Sequence, residues 1–378
     1  MAHVQGTMTG RDIAQDIIAS TLRQPDGVRA QARAFPMMRV ISRDNGVGLT
    51  RDMVLMAQTL RAGGVPVQEL GFTSQRLQDT GREARLWASR ALFGRVPLQI
   101  FSERVYARCL ALGQINLLVP NPEWLLPKWL PLLPRFDAVL CKTHHAERIF
   151  QNLGCTTRFI GFTSPDRYDP QVPRQRAFFH LAGRSTAKGT RVLLETWKQH
   201  PEWPLLTVVQ NPRTAGKPVV ASNIDHRVRY LDDAELRRLQ NAHLFHLCPS
   251  EAEGFGHYLM EALSVGAVTL ATDGEPMNEL VRPEHGVLIP AAEVRQRRLA
   301  SYYYVDAAGI AQAVDTALAM PQVQLDALSA NARAFYQAND AAFAARFRNA
   351  VLASLPGHVA DDAVGVEPVG VEAVVVER

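Results

Sequence analysis

The sequence predicts an α/β protein built from two Rossmann-like, doubly wound parallel-sheet domains that face each other across a cleft. Three observations carry this. Strand-length apolar runs alternate with helix-length segments through both halves. The 378 residues suffice for two ordinary domains. At 47% hydrophobic and 21% charged, the composition is that of a globular protein with a real core.

Thr9 and Asp12 can cap a helix that runs to Leu22 and stops at Gln24-Pro25-Asp26-Gly27. The first strand is expected at 37–43 (MMRVISR), followed by the loop Asp44-Asn45-Gly46-Val47-Gly48 and a helix over 50–62. Gly63-Gly64 ends that helix before a strand at 65–70. Further strands are expected at 96–101, 114–119 and 138–141, with a Trp-, Leu- and Pro-rich segment at 121–136 between the last two. Three prolines and mixed charge mark 163–174 as a linker. The second half repeats the pattern with strands at 177–183, 205–210, 228–231, 244–249, 267–271 and 286–290, then a long helical segment at 323–355. The expected organisation is a first domain over 1–165 with an N-terminal helical extension and a second domain over 166–335. A helix follows at 336–356, and the aromatic-free tail at 357–378 is disordered.

Net charge is +4 and the pI is ≈ 9.0, which suits an anionic ligand or an acidic membrane surface. No Lys/Arg-rich run accompanies it, so nucleic acid is not an expected partner. Cys109, Cys141, Cys155 and Cys248 are widely spaced with no C-x-x-C, as expected of reduced thiols in the cytoplasm. No apolar stretch approaches 18 residues, and charges interrupt 10–23, so neither a spanning helix nor a secretory segment is expected.

Three glycine- or charge-marked loops directly follow strands, where ligands bind in doubly wound sheets. In PSEAEGFGHYLMEALSVG (249–266), Glu253 sits beside Gly254-Phe255-Gly256 and Glu261 lies about one turn into the following helix. Bare backbone and a helix N-terminus can hold a phosphate, and a carboxylate can accept hydrogen bonds from vicinal hydroxyls. In HLAGRSTAKG (180–189), Arg184 and Lys188 can meet the charge that grows on a diphosphate leaving group. Gly46 and Gly48 can cradle an anion. Taken singly, each also fits a plain structure: a capped helix, two solvated cations, a tight turn. His144-His145 fits a solvated helix start, and His243 and His246 fit core or cap roles. No D-x-D occurs, so no metal site is expected. For the segment around Trp124 to Arg135, core or cleft wall is favoured over membrane contact.

Over 177–281 the chain resembles the glycosyltransferases of the two-domain GT-B fold, in the large retaining group numbered family 4. The resemblance rests on FHLAGRSTAKGTRVLLETW, on RYLDDAELRRLQNAHLFHLCPSEAEGFGHYLMEALSVGAVTLAT with its E-x(7)-E spacing, and on GEPMNELV. It implies transfer of a sugar from a nucleotide-diphosphate donor to a hydroxyl acceptor, saccharide or lipid-linked saccharide, with retention and without metal or other cofactor. By position, Arg184 and Lys188 are implied to bind the diphosphate and Glu253 to lie against the transferred sugar. Gly254, Phe255 and Gly256 are implied to contact the donor, Glu261 the ribose, and Tyr230-Leu231 the base, with Gly46 and Gly48 closing from the other domain. Two departures stand out. The Arg184–Lys188 gap is a residue or two short, and where many relatives carry an acceptor-side histidine this chain reads Pro120-Asn121-Pro122-Glu123, so Asn121 or Glu123 takes that place. The resemblance also leaves open an inactive nucleotide-sugar-binding protein, or an epimerase or phosphorylase on the same fold. The implied location is the cytoplasm, with peripheral contact at the inner membrane face the less favoured addition.

Overall fold

The computed structural model describes residues 35–44, 48–73 and 75–356. The expected N-terminal helix, the tail and Gly46 lie outside the described residues. The first sheet comprises β1 (Met38–Arg43), β2 (Val67–Phe72), β3 (Val96–Ser102), β4 (Gly113–Val119), β5 (Ala138–Cys141) and β6 (Thr157–Phe159), with helices α1 (Gly48–Ala62), α2 (Arg76–Phe93) and α3 (His144–Asn152). Its order is β2-β1-β3-β4-β5-β6 and every pairing is parallel. The second sheet comprises β7 (Gln175–Gly183), β8 (Leu206–Gln210), β9 (Ile224–Val228), β10 (His243–Cys248), β11 (Val268–Thr272) and β12 (Gly286–Ile289). Its helices are α4 (Thr190–Gln199), α5 (Asp233–Ala242), α6 (His257–Ser264), α7 (Met277–Leu280) and, after the hairpin β13 (Ala291–Arg297)–β14 (Ala300–Val305), α8 (Ala307–Ala319). Its order is β12-β11-β10-β7-β8-β9, again wholly parallel.

The central strands are buried and largely apolar because helices cover both faces of a parallel sheet. All residues of β10 and β11 are buried. The strand expected at 228–231 instead occupies Ile224–Val228, leaving Tyr230 and Leu231 beyond its end. β9 pairs only with β8 and is half-buried, so it tolerates Asp225, His226 and Arg227, and no apolar run marks it. Helix α2 leaves Leu77, Leu92 and Phe93 exposed and, among its described residues, buries only Leu86, and strand β13 carries mostly exposed side chains, so neither gives a clear apolar periodicity.

The two domains share core. One apolar cluster joins Met38 and Leu140 of the first sheet and Met56 of α1 to Leu259, Met260 and Leu263 of α6 and to Phe343 and Phe347 of the last helix, α9 (Gln322–Leu352). Each fully buried side chain of this kind contributes about 1.5–3 kcal/mol. Helix α9 runs unbroken for 31 residues, so the boundary expected at 336 falls inside it. Along the way Tyr336 donates its hydroxyl to the Ser164 carbonyl at 2.7 Å, and Arg346 Nε donates to the Ile160 carbonyl at 3.0 Å. The linker 163–174 is itself packed: Arg167, 4% exposed, donates to Gln240 and pairs with Asp233 at 2.7 Å.

His243 and His246 are core residues. His246 Nε2 donates to the Gln240 carbonyl at 2.9 Å, and His180 Nδ1 donates to the Leu247 carbonyl at 2.8 Å while its Nε2 accepts from Thr190. Burial pushes His180 down to about 4 and His246 down to about 3. The folded state therefore holds both neutral where the unfolded chain binds protons. The stability these two histidines contribute is full above about pH 6.5 and falls as pH drops toward 4, by about 1.4 kcal/mol per pH unit for each. Denaturant melts at pH 7.5 and pH 5 check this: the midpoint moves down at pH 5, with no such fall between pH 8.5 and 7.5.

Candidate functional site

Each sheet has a point where its chain order reverses, between β1 and β3 in the first and between β7 and β10 in the second. Loops leaving neighbouring strands there diverge and open a crevice at the carboxyl ends. The second crevice holds Arg184 and Lys188, which follow β7, and Glu253, which follows β10. Lys188 Nζ lies 3.2 Å from Glu253 Oε1 and 3.0 Å from the Tyr258 ring centroid. Ser250 Oγ donates to the same Glu253 oxygen at 2.5 Å. Arg184 Nη2 donates to the Tyr230 hydroxyl at 2.8 Å. Arg184, Lys188, Tyr230, Leu231, Glu253 to Gly256 and Glu261 all line one inter-domain cleft of about 1240 Å³.

The two loop glycines are explained by the protein itself. Gly256 caps α6 with φ 94°, a left-handed conformation that disfavours any side chain. A Cβ on Gly254 would lie 2.4 Å from Asn121 Cγ, so the first domain presses directly on this loop. Gly48 begins α1, and the rest of its loop, 45–47, lies outside the described residues.

Glu261 is 4% exposed and is not free in this structure. Its Oε1 is 2.5 Å from Arg51 Nη1 of α1, and its Oε2 accepts from Gln240 Nε2 at 2.8 Å. Burial pushes its carboxyl up, but Arg51 foremost, with Arg167 and His257, pulls it below the usual range.

The next residue of α1 makes a second crossing. Asp52 meets Lys142 Nζ at 2.6 Å and His257 Nε2 at 2.6 Å, and His257 Nδ1 accepts from Ser164 Oγ at 2.7 Å. Against its burial, Lys142 and His257 hold the Asp52 carboxyl far below the usual range. Although Ser164, His257 and Asp52 form a line of hydrogen bonds, Ser164 is 1% exposed, and the line ties linker, α6 and α1 together.

The sequence reading missed Arg51, Asp52, Lys142 and His257. The available signals were positional: Lys142 directly follows β5, and His257 directly follows the E-G-F-G loop.

The His144-His145 pair is not a solvated helix start. Both backbone N–H groups donate to the Glu279 carboxylate of the second domain, at 2.8 and 2.5 Å, and His145 Nδ1 lies 2.8 Å from Glu275 Oε2. A carboxylate from the opposite domain caps α3 where water was expected. The 121–136 segment forms short 3₁₀ turns that bury Trp129 and Leu133 and leave Trp124 at the cleft. Glu103, Asn121 and Glu123, after β3 and β4, form the cleft wall facing Glu253. Among the described residues no group of three or more His, Cys, Asp or Glu side chains is arranged to hold a metal, and no helix is long and apolar enough to cross a membrane.

With this geometry in place, comparison with known proteins is informative. Residues 177–318 match the family described as Glycosyl transferases group 1. The matched residues are those of the second domain, from β7 into α8. No curated protein matches the chain. Among solved structures, the chain is similar to a sucrose-phosphate synthase from Thermosynechococcus elongatus, with 16% identity, coverage of 83% of this chain and 98% of that one, and a TM-score of 0.64. It is also similar to a glycosyltransferase from Rickettsia africae (13% identity, 86% and 100% covered, TM-score 0.63). A third likeness is to the HepE protein of Anabaena in complex with UDP and glucose (13% identity, 80% and 95% covered, TM-score 0.58). At these identities the likeness shows the fold, and the fold is GT-B.

The Asp52–Lys142 pair predicts a measurable cost. Lys142→Met leaves a buried carboxylate with His257 as its remaining partner and should destabilise the protein by about 3 kcal/mol. A loss under 1 kcal/mol in urea melts would show that Lys142 is not needed to keep the buried Asp52 carboxylate in place.

Proposed function

We propose that the protein is a retaining, metal-independent glycosyltransferase that moves a sugar from a nucleotide-diphosphate sugar to a hydroxyl acceptor. The observation that carries this reading is the meeting of Lys188 with Glu253 at the reversal point of the second sheet, beside the N-terminus of α6 and in the same cleft as Arg184. The group 1 match covers all of these residues. That a similar fold was solved with UDP and glucose supports a nucleotide sugar as the donor class.

In this reading Arg184, Lys188 and the first free amides of α6 receive the diphosphate and stabilise the charge that develops on it. The bond from the anomeric carbon to the diphosphate breaks as the acceptor oxygen approaches from the same face. The leaving diphosphate takes the acceptor proton, and because the new bond forms on the face the old one leaves, the configuration is kept. Glu253, already oriented by Ser250 and Lys188, lies against the sugar and faces the positive charge that grows on it. Glu261 receives the ribose hydroxyls, for which Arg51, whose side chain is 41% exposed, must release one carboxylate oxygen. Tyr230, stacked near Arg184, marks the base end. No step assigned here requires a metal, since cationic side chains face the diphosphate.

A thermal-shift screen of nucleotides and nucleotide sugars, followed by a nucleotide-release assay and product NMR, tests the whole reading. A nucleotide sugar should stabilise the fold, turnover should survive EDTA, and the product should keep the donor's anomeric configuration; an inverted product would sink retention. Glu253→Ala should abolish transfer and leave nucleotide affinity within a few fold. Glu261→Ala should weaken nucleotide affinity about ten-fold, equivalent to about 1.4 kcal/mol. Unchanged affinity by calorimetry would remove the ribose assignment.

A further inference from the structure

We propose that Glu103, Asn121 and Glu123 form a subsite for the hydroxyl groups of an uncharged saccharide acceptor, in which Glu123 binds the neutral acceptor and its neighbours Glu103 and Glu253 disfavour anionic ones. This rests on the glycosyltransferase reading of the cleft and names the acceptor class that the cleft would take.

The three side chains extend from the ends of two neighbouring strands, β3 and β4, onto the wall opposite Glu253. Asn121 Nδ2 donates to Glu103 Oε2 at 3.2 Å, and Glu103 is held at φ 61°, outside the ordinary range for a side-chain-bearing residue. Glu123 is 6% exposed. Its carboxyl makes no ion pair among the described residues, and its Oε2 has no hydrogen-bond partner; the same holds for Asn121 Oδ1. Native structures rarely leave such buried polar atoms unmatched, and a ligand is one way to satisfy them.

The surroundings of Glu123 are mostly negative. Glu253 faces it from the second domain and Glu103 from the adjoining loop, with Tyr302 of β14 nearby. Lys142 is within reach but is held by Asp52 at 2.6 Å, and Arg104 lies on the Glu103 side. Arg298 donates to the Glu123 backbone carbonyl, away from the carboxyl. Burial, reinforced by Glu253 and Glu103, pushes Glu123 up to about 8. Its carboxyl is thus mostly protonated at neutral pH. A protonated carboxyl both donates and accepts, matching a sugar hydroxyl, which does the same. A phosphate or carboxylate on the acceptor would instead face Glu103 and Glu253.

The test uses the full chain, the nucleotide sugar that gives the largest thermal shift, and six added compounds. These are methyl α-glucoside, methyl β-galactoside and maltose against glucose 6-phosphate, galactose 6-phosphate and glucuronate. Neutral compounds should accelerate nucleotide release over the hydrolytic background, and anionic ones at least about ten-fold less. Glu123→Ala should raise the acceptor KM about ten-fold, and Glu123→Gln, neutral and of the same shape, should recover most of that loss. The wild-type KM should rise between pH 7 and 9 while that of Glu123→Gln stays flat. Three results would each overturn the proposal: anionic acceptors used as well as neutral ones, alanine and glutamine variants with the same KM, or no neutral compound accepted while the donor is still hydrolysed. A fall in nucleotide affinity of Glu123→Ala would assign the residue a structural role and overturn it too. If wild-type protein neither binds nor hydrolyses any nucleotide sugar, it is the glycosyltransferase reading that fails.

Discussion

The first turn of α1 is where the two domains are held to each other. Arg51 reaches Glu261 and Asp52 reaches His257, so two consecutive residues of one helix fasten to two residues of α6. These contacts set the reversal point of the first sheet against that of the second. Asp52 is the costly part: a carboxylate buried this deeply is tolerable because Lys142 and His257 both meet it. The apolar cluster shared by β1, α1, α6 and α9 adds non-directional cohesion, while the charged contacts fix the register. Without that register Asn121 would not lie against Gly254, and the cleft would have a different wall.

Most strands were legible in the sequence because a parallel sheet covered on both faces needs uninterrupted apolar runs. β5 and β10 read directly as short Val-, Leu- and Phe-bearing segments. β9 was misplaced because an edge strand with one partner can be polar. The hairpin β13–β14 escaped because Ala-Glu-Val-Arg-Gln-Arg has no buried face to advertise. In the site, Lys188 and Glu253 were legible because glycines and charges cluster directly after strands. Their 3.2 Å contact was not, since it depends on β7 and β10 being neighbours although 67 residues separate His180 from Leu247 across them. The Arg51–Glu261 pair, separated by 210 residues, leaves no local signature at all.

Charges of both signs line the cleft in each domain; nearest Glu253, the second domain offers Arg184 and Lys188 at strand ends and the first offers Glu103 and Glu123. In the proposed reading an anionic donor meets Arg184 and Lys188, where charge-assisted hydrogen bonds are strong. Glu103 on the facing wall and Glu253 disfavour a second anion, because like charges in a partly desolvated cleft repel more than in water, while the protonated Glu123 suits a neutral group. Glu253 sits between the walls with Lys188 as its counter-ion, so it belongs to the donor side electrostatically and faces the acceptor side geometrically.

The same carboxylate that fastens the domains is the one assigned to the ribose. Arg51 is half-exposed and can turn to solvent, but Glu261 is buried, so its carboxylate cannot be left without a replacement partner. A bare Glu261, buried and holding Gln240 alone, would be far less tolerable. In the proposed reading, vicinal hydroxyls donating to that carboxylate make up the loss, so nucleotide entry and the release of Arg51 are one exchange. Asp52 and His257 remain fastened throughout, because no ligand group is assigned to them. The clasp thus divides into a fixed half and an exchangeable half on adjacent residues. This lets the cleft loosen around the donor without the domains parting.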